Sequence, residues 1–107
     1  MVIVHSGEKC VTSETEASRI ATEACKQHFS QWPNFVFRVE NVEFCKQANG
    51  SSRREMCWRV SIMILPDSNA LAATPSICIL IHSLDGRLYQ CGSEPECREI
   101  GVVKFLE

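Results

Sequence analysis

None of the seven cysteines in this chain stands in a C-x-x-C motif, which sets aside zinc-ribbon and thioredoxin-like spacings. No stretch approaches the ~20 consecutive apolar residues of a membrane-spanning helix. The opening Met1-Val2-Ile3-Val4-His5 lacks the basic leader and long apolar core of a secretory signal. There is no basic excess: the net charge is -2, and Arg53, Arg54 and nearby Arg59 are the only basic cluster, which argues against a nucleic-acid partner. No glycine loop is built to cradle phosphate, and no internal repeat or low-complexity stretch occurs. Only two aspartates are present, Asp67 beside a proline and Asp85 in a turn sequence, so no carboxylate pair offers itself for acid-base work. The chain reads as soluble and cytoplasmic, without cofactor, membrane or nucleic acid.

What is present is the material of one domain, 1–107. Its 45% hydrophobic and 22% charged content is that of a globular chain long enough to bury a core without a metal or disulfide. The clearest predicted element is a helix from Ser13 to Trp32. Ala17, Ile20, Ala21, Ala24, Cys25, His28, Phe29 and Trp32 recur at i, i+3, i+4 and i+7, the stripe of one buried face. Ser13 with Glu16 makes a capping box, Glu14 and Glu16 suit the positive end of the helix dipole, and Pro33 stops the helix. His28 reads as a core-edge histidine with a satisfied hydrogen bond. The small alanines point to close approach onto a sheet.

The rest of the chain alternates with period two. Asn34 to Cys45 places Phe35, Phe37 and Val39 on one face and then shifts phase to Val42 and Phe44, the signature of a bulge near Glu40-Asn41. A polar loop follows, with Asn49-Gly50 as its turn. Glu55 to Leu65 puts Met56, Trp58, Val60, Ile62 and Ile64 on one face and Cys57, Arg59, Ser61 and Met63 on the other. Ser76 to Ser83 repeats the pattern, with Ile77, Ile79 and Ile81 opposed to Cys78, Leu80 and His82. Asp85-Gly86 is a hairpin signal leading into a fourth strand from Arg87 to Cys91. In the tail, Ser93, Pro95 and Glu96 read as the start of a short helix and Gly101 to Leu106 as a closing strand. One helix followed by consecutive strands on short turns predicts an α+β fold: an N-terminal amphipathic helix packed on a curved antiparallel sheet of about four to five strands.

The spaced alanines, Trp58-Arg59-Val60, and the run from Ile79 through Asp85-Gly86-Arg87-Leu88 together resemble the PepSY pattern, in which a Trp-x-Val strand precedes an apolar strand, a tight glycine turn and a further strand. Cystatin-like domains and the small immunity proteins shaped like nuclear transport factor are similar. The resemblance spans Ser13 to Cys91 and departs at His82, where PepSY sequences usually carry an aspartate. It implies a helix lying across a curved sheet and a non-catalytic binding or inhibitory module.

The cysteines read first as small buried hydrophobes, with a disulfide or a reactive site as alternatives. Cys91 and Cys97 are spaced to close a small loop. Cys78 and His82 share a strand face but lie about 13 Å apart along it, too far for a nucleophile and its base. A metal set of Cys57, His82 and Cys91 is the alternative arrangement, although no ligand-pair spacing specifies it. Glu94, Glu96 and Glu99 read as a solvated acidic face. The remaining candidate surface is the sheet face away from the helix, carrying Cys57, Arg59, Ser61, Met63, Cys78, Leu80 and His82, unless the tail covers it. Arg59, Met63, Leu80 and His82 are its candidate binding residues. The expected function is a non-enzymatic binding module with a protein or small-molecule partner, acting through that face or as a homodimer. A thiol- or metal-dependent enzyme or sensor is the alternative.

Overall fold

The computed structural model describes residues 1–31, 35–45, 57–66, 76–91 and 97–105. In chain order the elements are β1 (Val2–His5), α1 (Glu14–His28), β2 (Phe35–Cys45), β3 (Cys57–Pro66), β4 (Ser76–His82), β5 (Arg87–Cys91) and β6 (Cys97–Lys104). The strands form one curled sheet in the order β1-β6-β5-β4-β3-β2, a half-barrel with α1 packed on it. Asn49-Gly50, the Arg53-Arg54 cluster, Met56, Asp67, the segment from Ser93 to Glu96, Leu106 and the pair Trp32-Pro33 lie outside the described residues.

Helix α1 begins where its cap places it. Ser13 is extended, with φ -133° and ψ 152°, and its hydroxyl accepts the Glu16 amide at 3.2 Å. The reciprocal half of the capping box is diverted. Glu16 Oε1 accepts the Ser6 hydroxyl at 2.9 Å, and both carboxylate oxygens accept from Arg19, because a nearby guanidinium and hydroxyl outcompete a main-chain amide for the charge. Ala17, Ile20, Ala21, Ala24 and Cys25 are fully buried, and three alanines among five contacts let the helix lie close on the sheet. The helix ends earlier than its stripe suggests, with the Phe29 amide donating to the Cys25 carbonyl at 2.9 Å. His28 is consequently exposed rather than at the core edge. It sits in the last turn beside an open cleft and meets Phe29 edge-on at 4.8 Å.

The core face of the sheet is made by the alternation that the strands display. Phe44, Trp58, Ile81, Leu88, Gly101 and Val2 form one register row across all six strands. Val60, Ile62 and Ile79 extend it toward the helix. The predicted bulge in β2 is present, with the register shifting between Val39 and Asn41 so that Val42 returns to the core and Phe44 shares its face while remaining exposed. Gly86 adopts φ +72° in the predicted β4–β5 turn, and its amide donates to the His82 carbonyl at 3.0 Å.

Two features enlarge the predicted sheet. Val2–His5 is a strand in its own right and pairs in parallel with β6, so the sheet has six strands and one parallel ladder. Four alternating residues carry too little periodicity to announce a strand, yet Val2 and Val4 are buried and Ile3 and His5 exposed. The closing strand also starts earlier than expected, at Cys97. A register shift opposite Leu88 and Tyr89 makes Ile100 an extra residue on β6, turning both Ile100 and Gly101 inward and breaking the alternation. The described part of the tail, 97–105, is therefore a sheet strand with Ile100, Val103 and Phe105 packed toward the core.

Candidate functional site

The opposite face is built by the other half of each alternation. Cross-strand partners project to the same side, with Cβ atoms about 4.5–5.5 Å apart. The pairings Glu43↔Arg59, Arg59↔Leu80, Leu80↔Tyr89 and Tyr89↔Glu99 therefore form one continuous row from β2 to β6. A second row runs Asn41, Ser61, Cys78, Cys91, Cys97. A third brings Cys57 against His82, and a fourth brings Arg38, Met63 and Ser76 together.

The four candidate binding residues all fall on this face. Arg59 is exposed, and Met63, Leu80 and His82 are half-buried. Leu80 and Arg59 are direct neighbours, His82 stands two residues further along β4, and Met63 lies two rows the other way. Cys57 shares the side by register but is only 5% exposed, which removes it from the accessible surface.

Two residues that sequence reasoning passed over complete the site. Tyr89, the sole tyrosine, stands between Leu80 and Glu99 and packs its ring against His82 with centroids 5.1 Å apart. Its alternation with buried Leu88 was the available signal. Glu99 belongs to β6 and meets Tyr89 directly instead of joining a loose acidic stretch. Arg87 lies on the same side of β5. Its pKa is raised further above the ordinary arginine value, first by its hydrogen bond with Tyr89 and then by the charges of Tyr89, Asp85 and Glu99. The face thus has an apolar and aromatic centre with Arg59 and Glu43 at one side and Arg87 and Glu99 at the other.

The cysteines divide by location. Cys91 and Cys97 are joined in a disulfide across β5 and β6, the pair singled out by spacing. Cys91 is thus held in that bond and is not a thiolate ligand beside Cys57 and His82. Among the described residues no group of three or more His, Cys, Asp or Glu side chains is placed to hold a metal. Cys25 is buried on the sheet-facing side of α1, and desolvation pushes its thiol up to about 12. Such a group stays protonated and unreactive at neutral pH. Elsewhere, an open cleft of about 570 Å³ is lined by Met1, Val2, Gln27, His28 and residues 98–101, on the helix side of the sheet. Among the described residues no helix is long and apolar enough to cross a membrane.

No protein-family model, curated protein or solved structure matches this chain.

Proposed function

We propose that this domain is a non-enzymatic binding module whose open sheet face docks a second copy of the same chain. The observation that carries this reading is the symmetry of the row Arg59–Leu80–Tyr89–Glu99. A two-fold axis through its midpoint sets Leu80 against the second copy's Tyr89 and Arg59 against its Glu99, and then repeats both contacts in reverse. That is the self-complementarity an isologous interface requires. Two sheets packed face to face keep their strands within roughly 30° of each other, so such rows remain nearly in line. A central aromatic and leucine with charges at the rim is also the ordinary anatomy of an interface. The PepSY-like sequence pattern points to the same class of module.

Sedimentation velocity at high micromolar concentration tests the reading. The wild type is expected to sediment as a dimer and the double variant Met63→Glu, Leu80→Glu as a folded monomer. Arg59→Glu and Glu99→Arg are each expected to weaken the dimer, and their combination to restore it, because the same ion pair is rebuilt with its signs exchanged. A wild type that sediments as a monomer, or a dimer indifferent to glutamates at positions 63 and 80, would overturn the assignment.

A further inference from the structure

The second row of this face places three cysteines at adjacent register positions. Cys78 on β4 is the register partner of Cys91 on β5, and Cys91 is the register partner of Cys97 on β6. Cys78 carries a thiol, whereas Cys91 and Cys97 share the disulfide. Directly opposed strand residues meet the Cα separation of roughly 4.4–6.8 Å that a disulfide needs. A Cys78–Cys91 bond is therefore within reach of the same strand pairing, with the two Cβ atoms drawing in to the roughly 3.5–4.5 Å that a disulfide needs. Cys97, one strand further away, is out of reach of Cys78.

We infer that Cys78, Cys91 and Cys97 form an internal thiol–disulfide exchange site. The Cys78 thiol loses its proton to solvent, and the thiolate attacks the Cys91 sulfur. A Cys78–Cys91 bond forms, the Cys91–Cys97 bond breaks, and Cys97 leaves as a thiolate that takes up a proton. Cys78 is oxidised and Cys97 reduced, so the step needs no external oxidant or reductant. Its outcome is positional. The half-buried thiol at Cys78 is exchanged for one at Cys97, which is exposed on β6. The domain thereby gains a solvent-facing thiol without net reduction. The exchange belongs to the undocked domain, because the cysteine row lies between Leu80 and Met63 on the face proposed to dock a second copy.

The sequence supplies its own readout. Trypsin leaves Cys91 and Cys97 together in the peptide 88–98 and Cys78 in the peptide 60–87. Oxidised wild-type protein, held at mildly alkaline pH and then quenched with excess N-ethylmaleimide in denaturant, is expected to yield a disulfide-linked 60–87/88–98 pair labelled on Cys97. Cys78→Ser should reduce that linked peptide to background. Cys97→Ser, oxidised with glutathione disulfide, should convert fully to it. Wild-type protein that yields only the looped 88–98 peptide, with the label on Cys78, overturns the exchange whatever the variants show. If Cys97→Ser also leaves Cys78 and Cys91 both labelled, the adjacency itself is wrong.

Discussion

The indole Nε1 of Trp58 donates to the main-chain carbonyl of Val11 at 2.9 Å, joining the centre of the sheet to the segment that leads into the helix. The same carbonyl accepts the Ser83 hydroxyl at 2.6 Å, and the Val11 amide donates to the Ser83 carbonyl at 3.0 Å. Val11 and Ser83 are both buried, so this chain segment has exchanged water for one indole and one serine. Trp58 thus serves the core with its ring, edge-on to Phe44 at 4.8 Å, and the backbone with its nitrogen.

Removing the two donors in turn should show how they share one acceptor. Trp58→Phe or Ser83→Ala leaves the Val11 carbonyl one partner, and each is expected to cost about 1–2 kcal/mol. The double variant leaves a buried carbonyl without either, so its loss should exceed the sum of the singles. Urea unfolding of the four proteins measures this. Strict additivity would mean that water replaces the missing donors.

Gly101 stands opposite Val2 at the parallel β1–β6 ladder. A Cβ there would run into the Val2 carbonyl oxygen, with the Val2 carbonyl carbon and Cβ each 2.7 Å away. Backbone atoms cannot swing aside as a side-chain end can. Gly101→Ala is expected to destabilise by about 3 kcal/mol, at the upper end of overpacking costs. Hydrogen exchange of Val2–His5 should accelerate before that of β3 and β4. An alanine variant with wild-type melting and exchange would show that β1 is placed differently.

The elements that sequence periodicity reached were those long enough to repeat it. Five apolar positions place α1, and Trp58, Val60, Ile62, Ile79 and Ile81 place β3 and β4. The phase shift after Val39 even located the bulge, because an extra residue inverts every later side chain. β1 was missed because Val2 and Val4 alone make no period. β6 was shortened because the bulge at Ile100 hides the alternation of its first half. For the same reason Arg59, Met63, Leu80 and His82 were legible as one face, while Tyr89 and Glu99 were not placed beside them. Which strands are neighbours depends on pairing across the sheet, and local alternation does not record it. His28 fell on the helical stripe but beyond the point where the sheet supports it.

The outer edge of β1 is closed by a side chain imitating a strand. Gln27 Oε1 accepts the Ile3 amide at 3.0 Å, and Gln27 Nε2 donates to the Ile3 carbonyl at 2.6 Å. Arg19 adds a bond to the His5 carbonyl at 2.8 Å. Open edges invite pairing with other chains, and an amide satisfying both backbone groups blunts this one. Gln27→Leu is expected to cost about 1 kcal/mol, since both bonds are solvent-exposed, and to speed exchange of the Ile3 amide selectively. Gln27→Glu keeps the acceptor and loses the donor, so it should protect the Ile3 amide while still costing stability. Equal exchange at Ile3 in all three proteins would remove Gln27 from this role.

Glu16 gives the β1–helix junction its pH dependence. Its carboxyl pKa lies below the usual value of 4.5, chiefly through the hydrogen bond from Arg19 and further through that from Ser6, against the opposing effect of burial. A lowered folded-state pKa favours folding when the group is ionised. The contribution is therefore complete above pH 4.5 and is lost as pH falls through the folded-state value. Arg19 is substantially exposed and solvent screens the pair, so the effect should be about 0.5 kcal/mol. Glu16→Gln is expected to be less stable than wild type by that amount at neutral pH. The gap should close below pH 4.5, where the wild-type carboxyl takes up its proton. Chemical denaturation of both proteins from neutral to strongly acidic pH tests the sign directly. A gap that stays constant or widens on acidification would mean that the Glu16 carboxylate is not what fastens β1 to the helix.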